Sequence, residues 1–376
     1  LSAARRPDAL VVGAGIVGAA CADALSAEGL SVTVLESRFA GAGATSAAMG
    51  HLVVMDDSEA QFALTEYSRR LWTELAPELP RECEDERTGT LWIAADPEEM
   101  ALVRKKGAAY RRRGVEVEEL SAEDLRRAEP RLRPGLAGAL RVPGDRVLYP
   151  PNAARFLLAR AAARGASRAE GVAVTAIGPG RVETGRGSLE AAVVVNATGA
   201  AAPLLTPGLP VVPRKGHLVI TDRYPGFCRH QLVELGYLRS AHAPSPESVA
   251  FNLQPRATGQ LLLGSSREFV GFDASVHRRL VGRMVRRAFE YVPALSGLSA
   301  IRTWVGFRPA TPDNLPLIGA WDATPGSYVA AGHEGLGITT ALATGRLLAD
   351  AILGRPSAID RGPYSPARPM ADSAHA

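Results

Sequence analysis

Ala9-Leu10-Val11-Val12-Gly13-Ala14-Gly15-Ile16-Val17-Gly18, followed through Ser31–Leu35 to Glu36, is the stretch whose reading decides the fold. Ala9–Val12 is a short apolar run, Ile16–Ala27 is helix-forming and rich in small residues, and Ser31–Leu35 is β-branched. The segment therefore reads strand, turn, helix, strand. Gly29 stands where a helix C-cap glycine belongs. In that context the Gly-x-Gly-x-x-Gly spacing is a dinucleotide fingerprint. Gly13 allows the tight turn, Gly15 lets backbone approach a pyrophosphate, and Gly18 lets helix and strand pack closely. Ile16 and Val17 open the helix whose free N–H groups and positive dipole end suit the phosphates. Glu36 is placed to accept hydrogen bonds from adenosine ribose hydroxyls, with Ser37 and Arg38 beside it. An acid there disfavours a 2′-phosphate. The motif alone leaves FAD and NAD both open.

Residues 37–50 are rich in Gly, Ala and Ser and read as a loop that brings backbone close to a ligand; a helix follows at Ser58–Leu75, capped by Ser58. From about Arg81 the pattern shifts to strand at Thr90–Ala94, helix at Pro97–Arg113, extended chain at Val115–Leu120 and a short helix at Ala122–Glu129. Pro150, Pro151 and Asn152 open a helix to about Arg164, and Val172–Ile177, Arg181–Thr184 and Leu189–Asn196 read as strands. Further strands are expected at 211–221, 248–254, 260–265, Thr303–Phe307 and Tyr328–Ala330, with helices at Ser275–Tyr291 and Gly337–Leu353. This alternation predicts an α/β (α+β) chain: an interrupted Rossmann-like nucleotide domain from 1–80, 145–210 and 306–355, and a mostly antiparallel sheet domain from 81–144 and 211–305. The Pro/Ser-rich segment 356–376 is expected to be a loose tail.

Composition narrows the function. The chain's 376 residues can bury a substantial core, and a net charge of +4 comes from scattered Arg and short runs such as Arg111–Arg113, which read as solvated helix faces and not as a nucleic-acid surface. Cys21, Cys83 and Cys228 are far apart and form no CxxC pair, which argues for a reducing compartment and against a disulfide framework, a metal site or an iron–sulfur centre in this chain. No apolar run is long enough to span a membrane, and no signal peptide is visible, so a cytoplasmic location without stable membrane insertion is expected.

The far end of the chain separates FAD from NAD. Gly332-His333-Glu334-Gly335-Leu336-Gly337 precedes the last helix and offers several backbone N–H groups and a positive helix end, which suit the electron-rich edge of an isoalloxazine. No second fingerprint stands in good βαβ context. Arg308, at a strand end with prolines around it, is a rigidly presented guanidinium of the kind that grips a carboxylate through two parallel hydrogen bonds. Pairing with an internal acid such as Asp313 is the competing reading.

The fingerprint with Glu36, the Ala197-Thr198-Gly199 turn, the stretch Arg308-Pro309-Ala310-Thr311-Pro312-Asp313-Asn314-Leu315-Pro316-Leu317-Ile318-Gly319 and the GHEGLGIT loop occur in the order seen in the D-amino-acid oxidase superfamily. The chain most resembles its glycine oxidase and D-amino-acid dehydrogenase branch, over residues 8 to about 355. Gly43–Asp57 and the GHEGLGIT segment resemble the flavin subunits of bacterial hydroxyproline dehydrogenases more closely still. The resemblance implies a flavin domain of the glutathione-reductase type beside an antiparallel sheet that roofs the substrate. It also implies that Arg308 binds the substrate carboxylate, and that Thr45, Ser46, Met49, Gly50 and His51 lie beside the isoalloxazine, with Met49 and His51 near its substrate side. Val174 is placed at the adenine side, and Ala197, Thr198, Gly199, Gly306, His333, Glu334, Gly335, Leu336, Gly337, Ile338 and Thr339 are placed around the cofactor. A second arginine that glycine oxidases carry after the Gly-His pair is absent, and Glu334 and Gly335 stand there. No cysteine lies near 306–320, where sarcosine oxidases tether flavin, so noncovalent FAD is expected. His51 is read either as a substrate contact or as ring packing, and His333 as a capping or packing residue.

The expected reaction is FAD-dependent oxidation of an amino or cyclic imino acid, D-hydroxyproline being favoured, by hydride transfer from Cα to flavin N5. Two alternatives stand beside it: an oxidase that reduces oxygen to peroxide, and a noncatalytic FAD-binding subunit. Related flavin subunits work beside iron–sulfur and NAD-binding chains, so electron-transfer subunits are the expected partners, with a small amino or imino acid as substrate.

Overall fold

The computed structural model describes residues 6–236 and 247–370. Its first sheet has the strand order Leu317–Ala320, Ser327–Ala331, Val193–Asn196, Ala9–Val12, Val32–Glu36, Ser167–Glu170. All neighbours are parallel except the first pair. Ala9–Val12 lies at the centre of this sheet and is buried on both faces, which is why it reads as an unbroken apolar run and not as an alternating one. Helices Ile16–Ala27, Pro150–Ala163 and Gly337–Ile352 share one apolar cluster with it. Small residues set the helix spacing: a Cβ on Gly345 would stand 2.5 Å from Ala20 O, so the final helix touches the fingerprint helix backbone to backbone.

The Glu59–Leu75 helix starts where Ser58 Oγ accepts from Gln61 N at 3.1 Å. Its buried Trp72 donates Nε1–H to the carbonyls of Ile338 (3.1 Å) and Thr339 (3.2 Å), so it holds the start of the final helix in place.

Among the described residues the second sheet has eight strands in the order Ala300–Ala310, Val212–Thr221, Leu261–Glu268, Glu247–Pro255, Gln231–Glu234, Thr90–Ala94, Gly138–Val142, Glu118–Ser121. Only the Gln231–Glu234 and Thr90–Ala94 pair is parallel. Alternation along Glu247–Pro255 puts Phe251 and Leu253 in the cluster with Met284, Ala288 and Tyr291 of the Arg278–Tyr291 helix. Asn252 and Gln254 then point the other way, toward the first sheet. A three-stranded antiparallel meander, Val174–Gly178, Arg181–Thr184 and Gly187–Glu190, stands apart from both.

Four expectations change. Leu189–Asn196 is not one strand: Gly187–Glu190 closes the meander, and Val193–Asn196 enters the first sheet after the buried Ala191. Gly306–Ala310, assigned to the cofactor half, belongs to the eight-stranded sheet, because it pairs in register with Val212–Gly216, from Val212↔Ala310 through Arg214↔Arg308 to Gly216↔Gly306. The helix expected from Ser275 starts at Arg278, since Ser275 is held by Asp273 through N–H···Oδ1 at 2.9 Å. The tail is not loose over 356–370. Tyr364 is 1% exposed and donates to Ala60 O at 2.6 Å, and Arg368 grips Asp313 with both Nε (2.7 Å) and Nη2 (2.9 Å). Pro and Ser obscure these anchors because single aromatic and arginine contacts have no period. Residues 371–376 lie outside the described residues.

Candidate active site

A single cavity of about 610 Å³ runs from Glu36 at the end of the first sheet to Arg308 under the second. At the nucleotide end, Gly13 has φ 104°, a conformation that side chains rarely adopt, and a Cβ there would fall 2.6 Å from Ala197 O. A Cβ on Gly18 would fall 2.0 Å from Gly13 O, so its role is packing, and it does not reach the cavity wall. Glu36 is buried; its Oε2 accepts from Ala14 N at 2.8 Å and its Oε1 from Arg38 N at 2.9 Å and Ser37 Oγ at 3.2 Å. Oε2 keeps a lone-pair site for a ribose hydroxyl. Val172 N donates to Glu36 O at 2.9 Å, which draws Val172–Thr175 over the same end of the cavity.

At the far end, the loop Ala47–His51 is clamped from two sides. Trp304 Nε1 donates to Ala47 O at 3.2 Å and Gln254 Nε2 to Met49 O at 2.9 Å, both from the roof. Thr339 Oγ1 donates to His51 O at 2.8 Å from the final helix. Gly306 is required here, because a Cβ would stand 2.6 Å from that of Ala47.

Arg308 crosses the neighbouring strand over Gly216, where a Cβ would lie 2.2 Å from its Nη1, and Nη1 donates to Ser266 O at 3.1 Å. Its competing partner is taken, since Asp313 is held by Arg368. Beside it sits Glu334, at φ 47°, with Oε2 accepting from Gly335 N at 2.6 Å and Oε1 3.6 Å from Arg214 Nη1. Burial raises the Glu334 carboxyl, but Arg308, Arg267 and Arg214 outweigh it and hold the pKa below the ordinary value. The end of the cavity is therefore an ionised, arginine-rich corner, suited to an anion.

Among the described residues, two histidines line the cavity, and both are in neutral form. Burial brings the His51 pKa down to about 4, against an opposing contribution from Gln254, and among the described residues no partner meets its Nε2. Burial brings His333 down to about 3, and its Nε2 lies 2.9 Å from Thr344 Oγ1, a hydrogen-bond contact that ties the loop to the final helix.

Of the residues singled out from sequence, Gly13, Gly15, Ile16, Val17, Glu36, Ser37, Arg38, Thr45, Met49, Gly50, His51, Val174, Ala197, Thr198, Gly199, Gly306, Arg308, His333, Glu334, Gly335, Gly337 and Ile338 stand on one wall system. Ser46, Leu336 and Thr339 do not. Ser46 is exposed and donates to Gly43 O, Thr339 locks the loop to the final helix, and Leu336 packs against the apolar cluster around Val53 and Phe62. Thr45, expected beside the ring, accepts from Ile16 N at 2.9 Å, so it sits at the fingerprint. Gly216, Leu218, Asn252, Ser265 and Phe307 line the site unforeseen, and Arg214 and Arg267 join its charge. They lie on long alternating strands whose inward face is fixed only by the neighbouring strand, which a single sequence does not show.

The wall fits a flavin dinucleotide. The glycine positions that a Cβ would fill, the acid at the ribose end and the helix start at Gly337 each stand where that molecule needs space, acceptor and positive potential. No cysteine lines the cavity, and all three are buried elsewhere.

Comparison with known proteins agrees. Residues 8–351 match the family model described as FAD dependent oxidoreductase, and the chain belongs to that family. Glycine oxidase of Geobacillus kaustophilus is 31% identical over 96% of this chain and 96% of its own length. The crystal structure of glycine oxidase from that organism superposes with a TM-score of 0.88 at 30% identity, covering 98% of this chain and all (100%) of its own. Hydrogen cyanide synthase subunit HcnC of Pseudomonas aeruginosa is 29% identical over 97% of this chain and 96% of its own. The structure of L-proline dehydrogenase from P. horikoshii superposes with a TM-score of 0.87 at 26% identity, covering 96% of this chain and 97% of its own. The chain is thus an FAD-dependent oxidoreductase of the superfamily its motifs resemble. No helix among the described residues is long and apolar enough to cross a membrane.

Proposed function

We propose that this chain oxidises the Cα–N bond of a small amino or cyclic imino acid, with D-hydroxyproline or a similar D-amino acid as the favoured substrate. The observation that carries the reading is Arg308, laid across Gly216 at the end of the cavity that begins at Glu36. When bound, FAD supplies the hydride acceptor. The chain supplies position. Arg308 holds the carboxylate through its fork and thereby fixes Cα relative to the Ala47–His51 loop. Neutral His51 offers Nε2 as an acceptor for an N–H of the substrate, which orients the nitrogen; the reacting form is the free amine, whose proton goes to solvent on binding. Roof strands exclude water from the reacting carbon. The N-terminal end of the final helix favours negative charge at the cofactor edge beside it. A linear substrate yields an imine that water hydrolyses, and a cyclic one yields a pyrroline.

The test is incubation with a redox dye and single amino acids, prolines or N-methylglycine, followed by mass spectrometry of the product. A keto acid or pyrroline carboxylate, formed with matching dye reduction, supports the reading. Dye reduction without either product counts against it.

The acceptor is a separate matter. The likeness of the Gly43–Asp57 and GHEGLGIT segments to dehydrogenase subunits, and the 26% identity to an L-proline dehydrogenase, favour a dye, quinone or partner chain. The relative named as a subunit of hydrogen cyanide synthase favours assembly with other subunits, and electron-transfer chains, iron–sulfur subunits among them, are the partners that the resemblance to hydroxyproline dehydrogenase flavin subunits implies. The glycine oxidase relatives favour a second reading, an oxidase that makes peroxide. Stopped-flow mixing of substrate-reduced enzyme with oxygenated buffer decides between them: slow reoxidation supports the dehydrogenase, and reoxidation fast enough for turnover, with stoichiometric peroxide, supports the oxidase.

A further inference from the structure

We propose that Asn252 and Ser265, on adjacent roof strands, form a subsite that recognises a hydroxyl group on the substrate's ring or side chain. This rests on reading the cavity as an amino-acid site, and it adds a second point of recognition beside the carboxylate anchor.

Both residues line the cavity and are almost fully buried, at 3% and 2% exposure, and among the described residues no partner meets Asn252 Oδ1 or Ser265 Oγ. A buried polar atom left unmet costs ~1–3 kcal/mol, so such atoms in a cavity wall mark where a ligand completes the bonding. The sheet brings the two together: Asn252 pairs in register with Gly264, the residue before Ser265. Ser266, the residue after, gives its carbonyl to Arg308. The polar pair and the guanidinium therefore meet one strand at neighbouring residues: Asn252 stands opposite Gly264, Ser265 follows it, and Arg308 donates to Ser266 O. Between them the floor is apolar. A Cβ on Gly264 would lie 3.0 Å from Leu218 Cδ2 and 3.1 Å from Met49 Sδ, so a side chain there would push on both, and the ligand's carbon frame meets Leu218 and Met49.

The chemistry of the pair selects the group it takes. A carboxylate calls for cations, which Arg308 and its neighbours provide. An ammonium calls for carboxylates or carbonyl oxygens. An amide and a hydroxyl are both neutral, and each donates and accepts, which matches an alcohol that does the same. A site built this way leaves its own groups unmet when the hydroxyl is missing, and so discriminates strongly against the plain analogue.

The test has two arms, on the flavin-loaded enzyme, on Ser265→Ala and on Asn252→Leu, with flavin content and melting temperature confirming the fold of each. In the first, kcat/KM is compared within matched pairs, 4-hydroxyproline against proline and threonine against 2-aminobutyrate, in D and L forms. Wild type should prefer the hydroxylated member by ~100-fold or more in one stereochemical series, and each variant should lose at least ~10-fold of that preference, mainly through the hydroxylated substrate. The second arm needs no turnover. Titration with cyclopentanecarboxylate and 3-hydroxycyclopentanecarboxylate is followed by the shift of the flavin absorbance. The hydroxylated acid should bind wild type more tightly, and the difference should vanish in the variants. A preference near one in wild type, or one that survives both substitutions, overturns the subsite. If no amino acid is turned over but the binding preference appears and is lost in the variants, the subsite stands and the amino-acid reading falls.

Discussion

Arg308 is the residue on which most of the chemistry turns, and its surroundings explain why. Its guanidinium lies where Gly216 leaves room, braced by Ser266 O and set beside Glu334. Replacing it with alanine should lower kcat/KM by a factor equivalent to ~2–5 kcal/mol, chiefly through KM, and lysine should restore only part, because it cannot reproduce the fork. Steady-state kinetics checks this; near-normal kcat/KM in the alanine variant would make Arg308 structural. His51 supports a different measurement. With its pKa near 4, it is neutral throughout the physiological range, so the acid limb of kcat/KM above pH 5 should be the same in wild type and His51→Asn, even if the variant is slower overall. A wild-type break near pH 6.5 that disappears in the variant would contradict the neutral assignment. At this scale the sequence is legible where a motif fixes backbone, as at Gly13, Gly15 and Glu36. It is silent where function depends on side chains meeting across strands. Arg214, Asn252, Ser265 and Arg267 carry no local pattern, and only the register of the roof turns them inward.

Elements were easier to read than residues, for reasons of period. The fingerprint strand and helix, the Ser58-capped helix and the final helix show caps or apolar repeats that local chain physics enforces. Short strands such as His51–Leu52 and Ser167–Glu170 do not, because two to four residues carry no usable alternation and are held by their partners. The contact between the fingerprint helix and the final helix gives a sharp test. Gly345→Ala places a methyl 2.5 Å from Ala20 O, so the helices must separate; the variant should lose ~1–3 kcal/mol in urea unfolding and some flavin affinity, since both helices start at the cavity. A variant as stable as wild type would mean the helices have slack that the geometry does not show. At the other end of the fingerprint helix, a bulky residue at Gly15 meets Thr45 Oγ1 at 3.1 Å and blocks approach to the pyrophosphate, so Gly15→Val should purify without flavin.

For the molecule as a whole, the surprise is that 356–370 is part of the fold. Tyr364 is buried against the Glu59–Leu75 helix, and Arg368 holds the Asp313 turn that follows the Arg308 strand. Tyr364→Ala should cost ~3–5 kcal/mol, measured by denaturant unfolding, and truncation after Gly354 should cost at least as much. Stability should also depend on pH through buried His333. Its folded pKa, about 3, lies below the ordinary 6.5, so the unfolded chain binds the proton first. The contribution is complete above pH 6.5 and is lost as pH falls from there toward 3, by ~2 kcal/mol at pH 5. His333→Gln should flatten that part of the curve; an unchanged slope would mean that His333 takes up a proton as readily in the fold as in the unfolded chain. The measurement that bears most directly on the central reading is the absorbance of the bound flavin under anaerobic conditions, as D- and L-amino acids, prolines and their carboxamides are added one at a time. The expected result is complete bleaching by at least one amino or cyclic imino acid of one stereochemical series, with no bleaching by its carboxamide. Protein that stays yellow with every amino acid, yet is bleached at once by dithionite, would contradict it.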